Sequence, residues 1–229
     1  RLHEKSRGLG DVYKRQEATR AIQAAHNEAR GAVNGVGIVK LMGRHSGFIA
    51  AQASLSSPDV NFCIVPEAPF AIDGPGGLLD RLEPRLASRG HAVIVVAEGA
   101  GQELLGPSDT TDASGNVKLG DIGVFLRDRI RDHFAARGTD ITVKYIDPSY
   151  TIRSLPADAF DAHYCNALGQ HAVHAALAGF TDSMVGRWGG HFTVVPLPLV
   201  TSSRRRVDPE GDVWQRVLQT TGQPDIGGS

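Results

Sequence analysis

Cysteine is scarce: the 229 residues hold two, Cys63 inside the apolar run VNFCIV and Cys165 within a helical pattern, with no CxxC pair. This excludes a disulfide framework and the paired spacing of a structural zinc site, and both thiols are expected as reduced core residues. Net charge is nearly absent as well. The 24 Lys/Arg and 25 Asp/Glu leave −1, so no global positive field draws the chain to nucleic acid or to an acidic membrane surface. No stretch approaches about 18 uninterrupted apolar residues, and the first residues carry no apolar signal core. The expectation is a soluble, cytoplasmic chain or a fragment of one, without membrane or nucleic-acid partners. Internal repeats and low-complexity tracts are missing. What is present is an ordinary globular composition, 41% hydrophobic and 21% charged, enough to bury a sizeable core in one large or two small domains.

Residues 1–16, RLHEKSRGLGDVYKRQ, show no helical or strand period and hold five Lys/Arg against two Asp/Glu. They read as a non-native tail, with a native basic tail as the alternative. Without them 19 basic and 23 acidic residues remain, so the body is mildly acidic. Ala18, Ala21, Ile22, Ala25 and Ala29 share one face of a helix over Glu17–Arg30, stopped by Gly31. Strands are expected at Gly37–Met42, Val60–Val65, His91–Ala97 and Thr142–Ile146, and helices at Gly47–Ser56, Ile72–Ser88, Asp121–Arg137 and Asp158–Ala178. Gly99–Gly120, rich in Gly, Ser, Thr and Asp, reads as a loop. Met184–Arg187 and Phe192–Val195 flank a Gly189-Gly190 turn, and a short helix is expected near Trp214. Unalternating apolar strands separated by helices imply an α/β fold, a parallel sheet covered by helices on both faces.

The chemistry concentrates in Val36–Ala51, VGIVKLMGRHSGFIAA. A half-buried strand ends in a turn bracketed by Gly43 and Gly47, and small residues then open a helix. Arg44 at the tip presents a fixed fork of donors suited to phosphate or carboxylate, and the helix start adds N–H groups. The plainer alternative makes Arg44 and His45 solvated turn residues. Glu98 follows the third strand, and Tyr150 and Arg153 follow the fourth; open parallel sheets take ligands at that carboxyl edge. A fixed cation for a phosphate plus carboxylate and backbone acceptors for hydroxyls is the mixture a sugar phosphate needs, with no metal required. Glu98 is equally a turn cap, and Tyr150 and Arg153 equally loop anchors. His171 and His174 stand three apart on a helix beside His163, without the third ligand a zinc site requires. Arg204-Arg205-Arg206 reads as a solvated or subunit-facing edge.

MGR-x-SGFIA resembles the fructose-6-phosphate-binding motif of the 6-phosphofructokinases, and VIVVAEGAGQ and VKYIDPSYTIRS follow in that family's order. The wording is most similar to the ATP-dependent branch of plants and trypanosomatid protists, itself related to pyrophosphate-dependent enzymes, and the resemblance runs from about Glu17 to about Gln223. It implies a phosphofructokinase-like α/β fold, incomplete at the N-terminus, and transfer of a phosphoryl group from ATP to the 1-hydroxyl of fructose 6-phosphate, with Mg²⁺. The residues for ATP and Mg²⁺ belong to the family's first half, so the expectation is an inactive substrate-binding portion. By the same resemblance Met42, Gly43 and Arg44 contact the sugar and the transferring group, Arg44 being the catalytic candidate, while Glu98 accepts from a sugar hydroxyl. Tyr150 and Arg153 stand where many bacterial members have His and Arg, the Arg taking the 6-phosphate. Lys144 stands where those members have an Arg that reaches a neighbouring subunit's sugar phosphate, and Gly35 replaces a second such Arg. A homo-oligomer is implied. Division into 17–150 as the sugar-phosphate lobe, 151–195 as a segment returning toward a nucleotide lobe and 196–229 as a tail and helix completes the expectation. A pyrophosphate-dependent enzyme and a non-catalytic sugar-phosphate-binding subunit are the alternatives.

Overall fold

Runs such as VGIVKL and HAVIVVA lack the polar alternation of a one-sided sheet, so their strands are stable only when helices cover both faces. The structure, a computed structural model, describes residues 10–106, 111, 117–154 and 156–227. In chain order its elements begin with α1 (Gly10–Arg30), β1 (Gly35–Leu41), α2 (Phe48–Leu55), β2 (Phe62–Ile64), α3 (Leu78–Arg89) and β3 (His91–Ala97). There follow α4 (Ile122–Ala136), β4 (Thr142–Ile146), α5 (Ser149–Ser154), α6 (Ala159–Leu177), β5 (Ser183–Trp188), β6 (His191–Pro196), α7 (Leu197–Thr201) and α8 (Asp212–Thr221). Of the described residues, 15–154 and 206–227 form one compact unit and 10–14 with 156–205 another.

The larger unit holds a parallel sheet in the order β2-β3-β1-β4, with Gly35 beside His91, Leu41 beside Ala97 and Val39 beside Ile146. Alternate residues of each strand serve opposite faces. Val36, Ile38, Ile94 and Val96 pack with Leu78, Leu82, Ile122 and Leu126 of α3 and α4. Val39, Leu41, Val93 and Val95 pack with Ile22 of α1, Ala50 of α2 and Trp214 and Val217 of α8. Each fully buried Ile or Leu contributes about 1.5–3 kcal/mol, so the two layers dominate the stability of this unit. α1 lies so close to β1 that a Cβ on Gly35 would stand 2.0 Å from the Ala29 carbonyl oxygen. The glycine is required by packing, and an arginine there would collide with the helix backbone.

In the smaller unit β5 and β6 pair antiparallel from Ser183↔Pro196 to Trp188↔His191, across a turn in which Gly189 and Gly190 both take positive φ. His171 of α6 stacks on Phe192 with ring centres 4.1 Å apart.

The strands and the long helices stand within a few residues of their expected bounds, and five details differ. α1 starts at Gly10, inside the stretch that shows no period, because extending a helix already nucleated downstream costs little. α3 starts at Leu78 instead of Ile72, since Gly74 and Gly76 adopt φ of 85° and 77° in a turn no helix can include. Tyr150 and Arg153 sit on the short helix α5 and not in a loop. α7 was not expected. Cys63 is buried as a core thiol, whereas Cys165 is exposed, because α6 buries only Asp161. Part of the Gly99–Gly120 loop, 107–110 and 112–116, lies outside the described residues; the rest includes a 3₁₀ turn at Gln102–Leu104. No helix among the described residues is long and apolar enough to cross a membrane.

Candidate functional site

The two central strands end side by side, and their last residues are laced together. Glu98 N–H donates to the Leu41 carbonyl at 2.8 Å, Gly99 N–H to the Gly43 carbonyl at 3.2 Å, and Gly43 N–H to Oε1 of Glu98 at 3.2 Å. Gly43 takes φ of +146°, which favours glycine. A Cβ on Gly99 would meet the Arg44 carbonyl oxygen at 1.9 Å, so the two turns touch through bare backbone. Thus Met42, Gly43, Arg44 and Glu98, expected from separate stretches of sequence, occupy one place. Arg44 Nη1 donates to the Val117 carbonyl at 2.5 Å, which ties the turn to the loop before α4.

The start of α2 differs from its expected role. Gly47 N–H donates to both carboxylate oxygens of Glu67 at 3.0 Å, so an internal anion already stands at this helix start. Oε1 of Glu67 also accepts from Val207 N–H at 2.8 Å and fastens the returning segment 206–229 beneath the turn. Glu67 follows β2 at the same carboxyl edge as Glu98 follows β3. Position after a strand was the signal that could have found it.

Lys40 was also missed, although it is the only charged residue of β1. It ends the row Val36, Ile38, Lys40 on the α4 side of the sheet, and its side chain is 13% exposed. Its Nζ lies 2.9 Å from Oδ2 of Asp121, the N-cap of α4, and 2.9 Å from Oδ2 of Asp147, just after β4. Tyr145 OH donates to both oxygens of Asp121 at 2.8 and 3.0 Å. Burial by itself would lower the Lys40 pKa, but hydrogen bonds with Tyr145, Asp121 and Asp147 outweigh it and raise the ammonium above its ordinary value. Burial pulls the two carboxyls upward, and the bonds from Lys40, with Tyr145 and Val124 at Asp121 and Ser149 at Asp147, carry both below the usual range. Burial pushes the Tyr145 phenol up, against Lys40 and with Asp121.

The remaining expected residues are spread out. Ile152 is buried and pins α5, leaving Tyr150, 87% exposed, and Arg153 on its open side. Lys144 does not share this edge. It sits beside Gly37 in the register, five residues before Met42, and its Nζ lies 3.5 Å from Glu28 of α1. At about 3.3 Å per residue that separates it from the turn by roughly 16 Å along the sheet. Glu67, Glu98, Asp121 and Asp147 are engaged by backbone N–H groups or by Lys40, and the described residues contain no group of three or more His, Cys, Asp or Glu able to hold a metal ion. The described residues do not fit a magnesium–nucleotide site.

An open parallel sheet whose carboxyl edge joins a glycine turn, a guanidinium and a carboxylate defines an α/β domain with its candidate site at the strand ends. Residues 15–176 match the family model described as Phosphofructokinase, and the chain belongs to the phosphofructokinase family. It is 53% identical over 214 residues to the ATP-dependent 6-phosphofructokinase of Amycolatopsis methanolica, covering 90% of this chain and 47% of that protein. It is 46% identical over 209 residues to the ATP-dependent 6-phosphofructokinase of Trypanosoma brucei brucei, covering 90% of this chain and 42% of the relative. The chain thus spans about half the length of the curated relatives it matches. In fold it is similar to the pyrophosphate-dependent phosphofructokinase of Nitrosospira multiformis, with a TM-score of 0.64 at 18% identity over 94% of this chain and 55% of that one.

Proposed function

We propose that this chain is the substrate-binding portion of a 6-phosphofructokinase, which phosphorylates fructose 6-phosphate at its 1-hydroxyl with ATP to give fructose 1,6-bisphosphate in cytoplasmic glycolysis. The observation that carries the reading is the Gly43–Glu98 hydrogen bond, which joins the Arg44 turn to a carboxylate at the ends of the two central strands. In this reading Met42 and Gly43 shape the sugar pocket, Glu98 accepts from a hydroxyl and Arg44 neutralises charge on the phosphoryl group being transferred. Arg153, with Tyr150 beside it, receives the 6-phosphate, and Lys144 on its separate surface serves the sugar phosphate of a neighbouring subunit in a homo-oligomer. ATP and Mg²⁺ are assigned to residues other than those described, because the described residues hold no group of three or more His, Cys, Asp or Glu able to bind a metal ion. ATP is preferred to pyrophosphate because the relatives near 50% identity are named for ATP, whereas the pyrophosphate-dependent neighbour shares only the fold.

Calorimetric titration of the 229-residue chain with fructose 6-phosphate and with ATP separately tests this. Binding of the sugar phosphate alone is expected, with no ATP-dependent phosphorylation by the chain. Arg153→Ala should weaken the sugar phosphate about 10- to 100-fold, the worth of a charge-assisted phosphate contact. ATP binding without sugar-phosphate binding would remove the proposal.

A further inference from the structure

α5 is six residues long, too short to be stable as an isolated helix, so the placement of Tyr150 and Arg153 depends on what anchors it. One anchor is Ile152, fully buried among the side chains of the α1, α2 and α8 layer. The other is Asp147, whose Oδ1 accepts from the Ser149 backbone N–H at 3.0 Å and from the Ser149 hydroxyl, while its Oδ2 meets Lys40. Lys40 is one residue from the end of β1, the strand that leads into Met42, Gly43 and Arg44. Its ammonium faces two carboxylates and the Tyr145 ring, 5.8 Å from the ring centre. It is already engaged on the side toward α4 and α5. A cation so enclosed is poorly placed to bind substrate and well placed to fix distances between elements.

We propose that Lys40 is a positioning residue: through Asp147 it sets where α5 begins, and so sets Arg153 relative to the Arg44 turn for grip on the 6-phosphate. The proposal rests on the sugar-phosphate reading above. The geometry gives the reason a lysine stands where the same strand row is otherwise apolar. A methionine would fill the space but leave Asp147 without its partner, and the start of α5 would be set only by the Ser149 contacts. Asp121 and Tyr145 brace the ammonium from the α4 side, so the link acts along one line from β1 to α5.

The test compares wild type, Lys40→Met, Lys40→Arg, Arg153→Ala and the Lys40→Met/Arg153→Ala pair in the full chain, by calorimetry with fructose 6-phosphate and by hydrogen exchange without it. Lys40→Met is expected to weaken binding about 10-fold and to speed exchange at residues 149–154, while Lys40→Arg stays within about 3-fold of wild type. In the Arg153→Ala background the Lys40→Met change should cost less than about 2-fold, because the effect passes through Arg153. Should Lys40→Met not fold, Asp147→Asn breaks the same contact and should give the same pattern. Equal binding by wild type and Lys40→Met, or a full additional loss in the Arg153→Ala background, overturns the positioning role and leaves the sugar-phosphate reading standing. Absence of binding by wild type overturns both, and the exchange data then show separately whether the tether exists.

Discussion

Replacing Glu67 should unfasten the edge of the sheet that carries the site. One carboxylate serves both Gly47 N–H at 3.0 Å and Val207 N–H at 2.8 Å, and Gly47 and Val207 are buried. In Glu67→Ala the two donors lose their acceptor, at about 1–3 kcal/mol each, and the start of α2 loses an anion worth roughly 0.3–1 kcal/mol. The expected loss is therefore about 2–7 kcal/mol. Glu67→Gln keeps one carbonyl oxygen for both donors and gives up the charge, so its cost should be on the order of 1 kcal/mol. Urea unfolding followed by tryptophan fluorescence measures this. Trp188 lies in the smaller unit and Trp214 in the larger, so a Trp188→Phe background makes the signal specific to the sheet. The midpoint should fall with little change of slope. A loss below about 1 kcal/mol for the alanine variant, or equal losses for alanine and glutamine, would refute the assignment of Glu67 as an internal anion.

Lys40→Met should be less stable than wild type at pH 7, and the deficit should shrink on acidification. Asp121 and Asp147 have depressed pKa values in the folded wild type, so their stabilisation is present above the unfolded carboxyl pKa of about 4 and is lost as pH falls through the lower folded values. Without the ammonium the same two half-buried carboxylates repel and burial raises their pKa, so the variant gains relative stability over that range. A deficit that stays flat from pH 7 down to about pH 2 in urea unfolding would contradict the network. Trp214→Ala empties a side chain 6% exposed between α8 and the sheet and should cost about 3–5 kcal/mol, read as a lowered melting temperature by circular dichroism. A loss under about 1 kcal/mol would mean that α8 is not part of this core.

The sequence by itself determined the sheet and the turn. Short apolar runs without alternation, rich in β-branched residues and bounded by glycine, read as buried strands, and the residues between them repeat at helical spacing, which together imply the parallel α/β arrangement. Gly43 and Gly47 marked the turn, and strand ends marked the edge where Gly43 and Glu98 meet. Local sequence could not show which charges find one another across the fold. Lys40 and Asp147 are neighbours only because β1 pairs in parallel with β4, and Glu67 reaches Val207 only because the chain returns to its first layer after residue 205. The same register sets Lys144 beside Gly37, away from the turn and within reach of Glu28, which its position in the sequence could not show. Periodicity records which face a residue takes, whereas partnership depends on strand order and register, which only the assembled sheet fixes.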